Sequence, residues 1–339
     1  METYRPVIGI TMGDPVGIGP EIIISALSNP LIYELCRPLV IGDLSILRKA
    51  QKSVGKNLKI KDVNNIRTGI YKNGNIDVLA LSSLDPDQTV WGKPTVLTGS
   101  AMVNYITTAI DLAADGSISA IVTCPINKKA MHMAGFNYNG HTELLAERTR
   151  TDNFVMMLAG SRLRVALVTI HMPLKDVPAV LSKERIFNTI KITWKALNER
   201  FDFENPRVAV AGLNPHAGEE GMFGSEEKNI IMPAIDLARK EGFDVSGPFP
   251  ADTIFYHAAN GSHDAVVCMY HDQGLIPLKL LHFTDGVNTT LGLPIVRTSV
   301  DHGTAYDIAG GGNADPGSLI AAINMAVHQA LSIKNKKYV

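Results

Sequence analysis

The chain has 339 residues, of which 45% are apolar and 19% charged, and its formal net charge is −1. That length exceeds what one hydrophobic core usually fills, so two domains are expected, while the near-zero charge excludes a broad electrostatic footprint for nucleic acid or anionic lipid. No stretch reaches the roughly 20 apolar residues of a membrane span and residues 1–6 hold no apolar leader core, so a cytoplasmic protein with no membrane partner is expected.

Val7-Ile-Gly-Ile-Thr-Met12 reads as a buried first strand, followed by the turn Gly13-Asp-Pro-Val-Gly-Ile-Gly19 and a helix from Pro20. Proline at a first helical position and glycines before it suit a strand-to-helix loop, but Gly17-Ile-Gly19 lacks the third glycine and the distant acid of a dinucleotide fingerprint. Strands are predicted at residues 38–42 and 75–81, then a proline-broken loop at 82–94. Val96, Met102, Val103, Ile106, Ile110 and Leu112 give a long amphipathic helix over 95–114, and a short buried strand follows at 119–125. Residues 126–150 divide into a short helix, a glycine-broken loop and a second helix opening at His141 or Thr142, whose free N–H groups form a candidate anion site.

Residues 154–159 and 163–170 can pair as a hairpin across Gly160-Ser161. Helices are predicted over 182–200 and within 224–242, the latter with Ser225 as cap and Glu226 and Glu227 in the first turn. A strand at 264–270, a helical turn carrying Lys279, polar loop edges at Asn288 and Arg297, and a closing helix after Asp315-Pro316 complete the chain. Alternating helix and strand predict an α/β fold built on a largely parallel sheet. Cys36, Cys124 and Cys268 stand singly in apolar surroundings and read as buried free thiols.

Three apolar runs deliver a histidine at their carboxyl ends: Leu163–Ile170 runs into His171, Arg207–Pro215 into His216, and Asp264–Tyr270 into His271. Ligands of open α/β sheets collect outside those strand ends, so three imidazoles placed there can converge on a divalent metal with open positions left for catalysis. A lone histidine at a strand end is more often a hydrogen-bonded structural residue, and the shared placement is what favours a site. Asp272 and Asp252 are candidates for holding an imidazole tautomer or accepting a proton, against a capping role for Asp252. Lys279, Asn288 and Arg297 are candidate donors to phosphate or carboxylate, against solvated surface charge.

Several long motifs then resemble the 4-hydroxythreonine-4-phosphate dehydrogenase family over essentially the whole chain: Ile10-Thr-Met-Gly-Asp-Pro-Val-Gly-Ile-Gly-Pro-Glu21, Gly140-His-Thr-Glu143, Gly212-Leu-Asn-Pro-His-Ala-Gly-Glu219, Pro250-Ala-Asp-Thr253, Met269-Tyr-His-Asp-Gln-Gly274 and Arg297-Thr-Ser-Val-Asp-His-Gly-Thr304. The resemblance implies two αβα domains flanking a cleft, as in isocitrate and isopropylmalate dehydrogenases, and a homodimer with active sites at the subunit interface. The expected domains are residues 1–130 plus 305–339, and residues 131–304. It implies NAD or NADP bound without a Rossmann domain and one divalent cation, zinc, magnesium or cobalt, on His171, His216 and His271. Substrate contacts carry over to His141, Thr142, Lys279, Asn288 and Arg297. The implied reaction oxidises the phosphorylated amino-hydroxy acid at C3, then decarboxylates it to 3-amino-2-oxopropyl phosphate, in pyridoxine 5'-phosphate biosynthesis. A related branch oxidises 4-phospho-D-threonate or 4-phospho-D-erythronate, and the segments from Asn137 and from Ile276 look somewhat like it. Two other classes stay open: a three-histidine metallohydrolase acting through bound water, and a metal-binding scaffold.

Overall fold

The computed structural model describes residues 4–138 and 140–336. Residues 1–3, 139 and 337–339 lie outside it, and with them part of the leader reading, part of the 135–140 loop and the last expected residues of the first domain. The chain forms two compact units: Met1–Asp152 with Leu293–Leu331, and Asn153–Gly292 with Ser332–Val339. The divisions expected after residues 130 and 304 therefore fall elsewhere. Arg148 pairs with Asp111 at 2.6 Å, which binds the helix His141–Arg148 to the helix Val96–Ala114 of the first unit. Residues 297–299 in turn pair with a first-unit strand.

In chain order the first unit lays down β1 (Val7–Thr11), β2 (Arg37–Asp43), β3 (Lys59–Asp62), β4 (Asn75–Ser82) and β5 (Ala120–Thr123). The second supplies β6 (Val155–Ala159), β7 (Arg164–Leu167), β8 (Val208–Ala211), β9 (Val245–Phe249), β10 (Ala265–Cys268) and β11 (Val287–Leu291) before β12 (Arg297–Ser299) returns to the first. The first unit's sheet runs β3-β4-β2-β1-β5-β12 and is parallel throughout. Strands such as Val7-Ile-Gly-Ile-Thr11 and Ala120-Ile-Val-Thr123 are buried at every residue, as a sheet covered on both faces requires.

The second unit's sheet runs β11-β6-β7-β10-β8-β9. Its β6–β7 pair is the antiparallel hairpin expected across Gly160-Ser161, and β7, β10, β8 and β9 are mutually parallel. Leu158, Val165, Leu167, Ala209, Val266 and Cys268 pack with Ile254 and Leu278 into the core that fixes these strands. The cysteines are buried free thiols.

Four local readings change. Lys59-Ile-Lys-Asp62 is an edge strand that no apolar run announces. The cap of helix His141–Arg148 is Gly140, with no side-chain cap bond, so neither His141 nor Thr142 caps it. Asp252 lies in the first turn of helix Ala251–Ala259 without capping it, since Pro250 holds that position. Ser225 does not cap a regular helix either, because Glu227 opens a π-helical turn, Glu227–Ile231, and folds its carboxylate back onto the preceding loop. No helix among the described residues is long and apolar enough to cross a membrane.

Candidate active site

The second unit sets β7, β10 and β8 side by side and parallel, so the segments leaving them emerge at one edge of its sheet. His171 follows β7, His271 opens the helix His271–His282 after β10, and His216 lies in the loop after β8. The rings of His171 and His271 stand 5.6 Å apart, centre to centre, tilted by 44°. Two imidazoles sharing one tetrahedral cation, each with its ring centre about 3.2 Å from the metal, would be about 5 Å apart. The observed pair is close to that.

His271 Nδ1 lies 2.7 Å from Asp272 Oδ1, which leaves Nε2 as the ring's remaining ligating atom. The two rings and Asp272 line a cavity of about 430 Å³ together with Ile170, Met172 and Tyr270. The arrangement suits a divalent cation with open positions. His216 is not in that lining; its exposed ring is 6.1 Å from Phe223, and no group of three His, Cys, Asp or Glu side chains spaced for a metal occurs among the described residues. Of the three predicted imidazoles, the chain brings two together, and Asp252 stands exposed outside that cavity.

Two side chains strap these strand ends. Thr169, two residues before His171, donates its hydroxyl to Met269 O at 2.7 Å, two residues before His271. Gln273 accepts from Met269 N at 2.7 Å and donates to Gly212 O at 2.6 Å, joining the ends of β10 and β8. Sequence reasoning passed over both, because a lone threonine or glutamine among apolar residues carries no signal of a tether.

Lys279 and Asn288 also lie in the second unit. Lys279 is half-buried near the end of the helix carrying His271, and Asn288 sits on β11 facing Leu158, with its buried Oδ1 lacking a hydrogen-bond partner among the described residues.

The first unit holds the other predicted contacts. Arg297 is on β12 and 3% exposed, so it is a buried cation and not the solvated loop charge that was the alternative. Its Nη2 donates to Thr123 Oγ1 at 2.8 Å, and burial lowers its pKa to about 10. Burial, and then the positive charge of Arg297, hold the pKa of His141 well below the ordinary imidazole value. Its buried Nε2 has no hydrogen-bond partner among the described residues, and Thr142 follows half-buried. A buried cation and a ring held neutral with an unpartnered polar atom are the chemistry that suits an anion.

The turn after β1 is not one. Its amides at Asp14, Val16, Gly17 and Ile18 donate to Pro125 O, Asp14 Oδ1, Asp14 O and Thr304 O, so they are spent within the protein. Gly19 is required there because a Cβ would stand 2.2 Å from Met12 O.

Against this geometry, a family model described as "Pyridoxal phosphate biosynthetic protein PdxA" matches residues 34–326. The chain belongs to this family. A 4-hydroxythreonine-4-phosphate dehydrogenase from Desulforapulum autotrophicum is 59% identical over 330 residues, covering 97% of this chain and 97% of the relative. A D-threonate 4-phosphate dehydrogenase from Cupriavidus necator is 46% identical, covering 97% of this chain and 99% of the relative. Among solved structures, a 4-hydroxythreonine-4-phosphate dehydrogenase from Klebsiella pneumoniae is 40% identical with a TM-score of 0.90, over 97% of this chain and 99% of that one. The PdxA fold thus extends over nearly the whole chain.

Proposed function

We propose that this chain is a divalent-metal-dependent, NAD-linked dehydrogenase of 4-hydroxythreonine 4-phosphate in pyridoxal phosphate biosynthesis, with NADP as the other nicotinamide it could use. The observation that carries the reading is the His171–His271 pair, 5.6 Å apart at neighbouring strand ends, in a chain of the PdxA family. His171, His271 and His216 would hold the cation, which when bound supplies Lewis acidity while the nicotinamide supplies a hydride acceptor.

The chain's own residues do the positioning. Asp272 keeps the proton on His271 Nδ1, and so fixes which ring nitrogen is available for ligation. Asp272 and Asp252 are the candidate acceptors for the C3 hydroxyl proton; Asp272 lines the cavity with His171 and His271, and Asp252 lies outside it. In the first unit Arg297, with neutral His141 and Thr142, is proposed to receive a substrate anion; in the second, Lys279 and Asn288 are proposed substrate donors. Loss of the carboxylate as carbon dioxide would follow oxidation at C3, giving 3-amino-2-oxopropyl phosphate.

The working unit is a cytoplasmic homodimer, a reading supported by an apolar surface on the helix His271–His282 and just beyond it. Ile276, Leu280 and Phe283 are 67%, 85% and 81% exposed, more than an isolated chain ordinarily leaves uncovered on one short stretch.

A second reading rests on the 46% identity to a D-threonate 4-phosphate dehydrogenase over nearly the full length. The test is a side-by-side assay of 4-phosphohydroxy-L-threonine, 4-phospho-D-threonate and 4-phospho-D-erythronate with NAD or NADP and added Zn2+, Mg2+ or Co2+. Fastest NADH formation from the L-threonine compound is expected. Preference for either of the others moves the enzyme to sugar-acid catabolism. Phosphate release without nicotinamide reduction would make it a hydrolase.

A further inference from the structure

We infer that Glu227 is a positioning residue for His216, acting through the loop that carries it. The inference rests on the reading of His216 as a cation ligand.

The loop after β8 has an unusual backbone. From His216 to Glu220, φ is 53°, 52°, 84°, 43° and 54°, so five successive residues are left-handed and four of them bear side chains. L-residues rarely hold that conformation in succession, and the segment persists only where its surroundings over-determine it.

Glu227 restrains this loop at several points. The residue is 5% exposed, and its carboxylate faces the loop from the π-helical turn. Oε1 accepts from the backbone amides of Leu213 and Asn214 at 2.8 and 2.7 Å, and Oε2 accepts from Asn214 Nδ2 at 2.9 Å. The two amides stand immediately before Pro215 and His216. On the far side of the histidine the carboxylate touches the loop again, since a Cβ on Gly218 would lie 2.7 Å from Oε2. One buried carboxylate thus grips the loop before and after its imidazole.

The grip is tied to the other proposed ligands. Gly212, next to Leu213, gives its carbonyl to Gln273, which also binds Met269 N, and Met269 O accepts from Thr169. A continuous run of hydrogen bonds therefore links the segments of His216, His271 and His171, with Glu227 at its His216 end.

The test is Co2+ titration of the full-length protein, followed by calorimetry and visible absorption, with the melting temperature of the metal-free protein and the kinetics of NADH formation measured alongside. Glu227→Ala removes the acceptors of the Leu213 and Asn214 amides and leaves Asn214 Nδ2 only Glu226 Oε2, at 2.8 Å, so its Co2+ affinity should fall by about 10- to 100-fold, as for the loss of outer partners of metal ligands. Glu227→Gln keeps a carbonyl for the two amides and should recover part of that loss. In both, kcat should fall more than KM rises. Co2+ affinity within about twofold of wild type in Glu227→Gln and Glu227→Ala overturns the role; if Glu227→Ala does not fold, unchanged affinity in Glu227→Gln overturns it alone. Uptake abolished by His216→Ala but retained in the Glu227 variants defeats this inference and spares the metal reading. A wild-type protein that takes up no Co2+ defeats both.

Discussion

Arg297 and His141 are electrostatically coupled, and that coupling makes the stability of the fold depend on pH. Burial and the guanidinium keep the imidazole neutral in the folded protein at pH values where the unfolded chain, titrating near 6.5, takes up a proton. Below that value the unfolded state binds more protons, so stability falls as pH falls; above it the ring contributes no slope. We expect the melting temperature to drop between about pH 7.5 and about pH 5, and His141→Asn to remove part of that drop. An unchanged profile in the variant would mean that the ring titrates normally. A bound substrate anion should raise the His141 pKa, so saturating substrate should also flatten the profile.

At the scale of elements, the helix His271–His282 does two jobs: its first residue is a proposed ligand and its outer face is apolar. Leu280→Lys with Phe283→Glu should convert a dimer to monomers in light scattering, with little change in the melting temperature of the isolated chain. A dimer that survives both changes would place the interface elsewhere. What could be read beforehand follows the same physics. Continuous apolar runs fixed β1, β5, β8 and β10, and the hairpin followed from its glycine turn. Lys59–Asp62 escaped because an edge strand need not be apolar, and its pairing with β4 is made by backbone alone. Glu227 escaped for a different reason: Ser-Glu-Glu has the signature of a helix start, while a π-helical turn has no hydrophobic period of its own. Arg297 reads from sequence as a candidate anion donor at a loop edge, and its burial on a strand escaped because a three-residue strand has no pattern that tells it from a loop edge.

For the whole molecule, the second unit is a near-continuous insertion, Asn153–Gly292, and it contains His171, His216, His271 and the tethers between them. Expressed alone, residues 153–292 should retain measurable Co2+ uptake and lose dehydrogenase activity, because Arg297 and His141 belong to the other unit. Uptake that needs the full chain would show that the ligand set is completed from outside the insertion. Chain length made two domains expected and helix–strand alternation made the α/β class legible, but not where one unit ends, since the boundaries are set by long-range pairing: β12 with β5, and Arg148 with Asp111. That return of β12 matters during synthesis. When the ribosome has released residue 292 the inserted half has all six of its strands, while β5 still lacks its neighbour on the β12 side. The half whose first strands precede the insertion is the last to close, and until it does it offers an open strand edge of the kind that nascent chains must keep from pairing with one another.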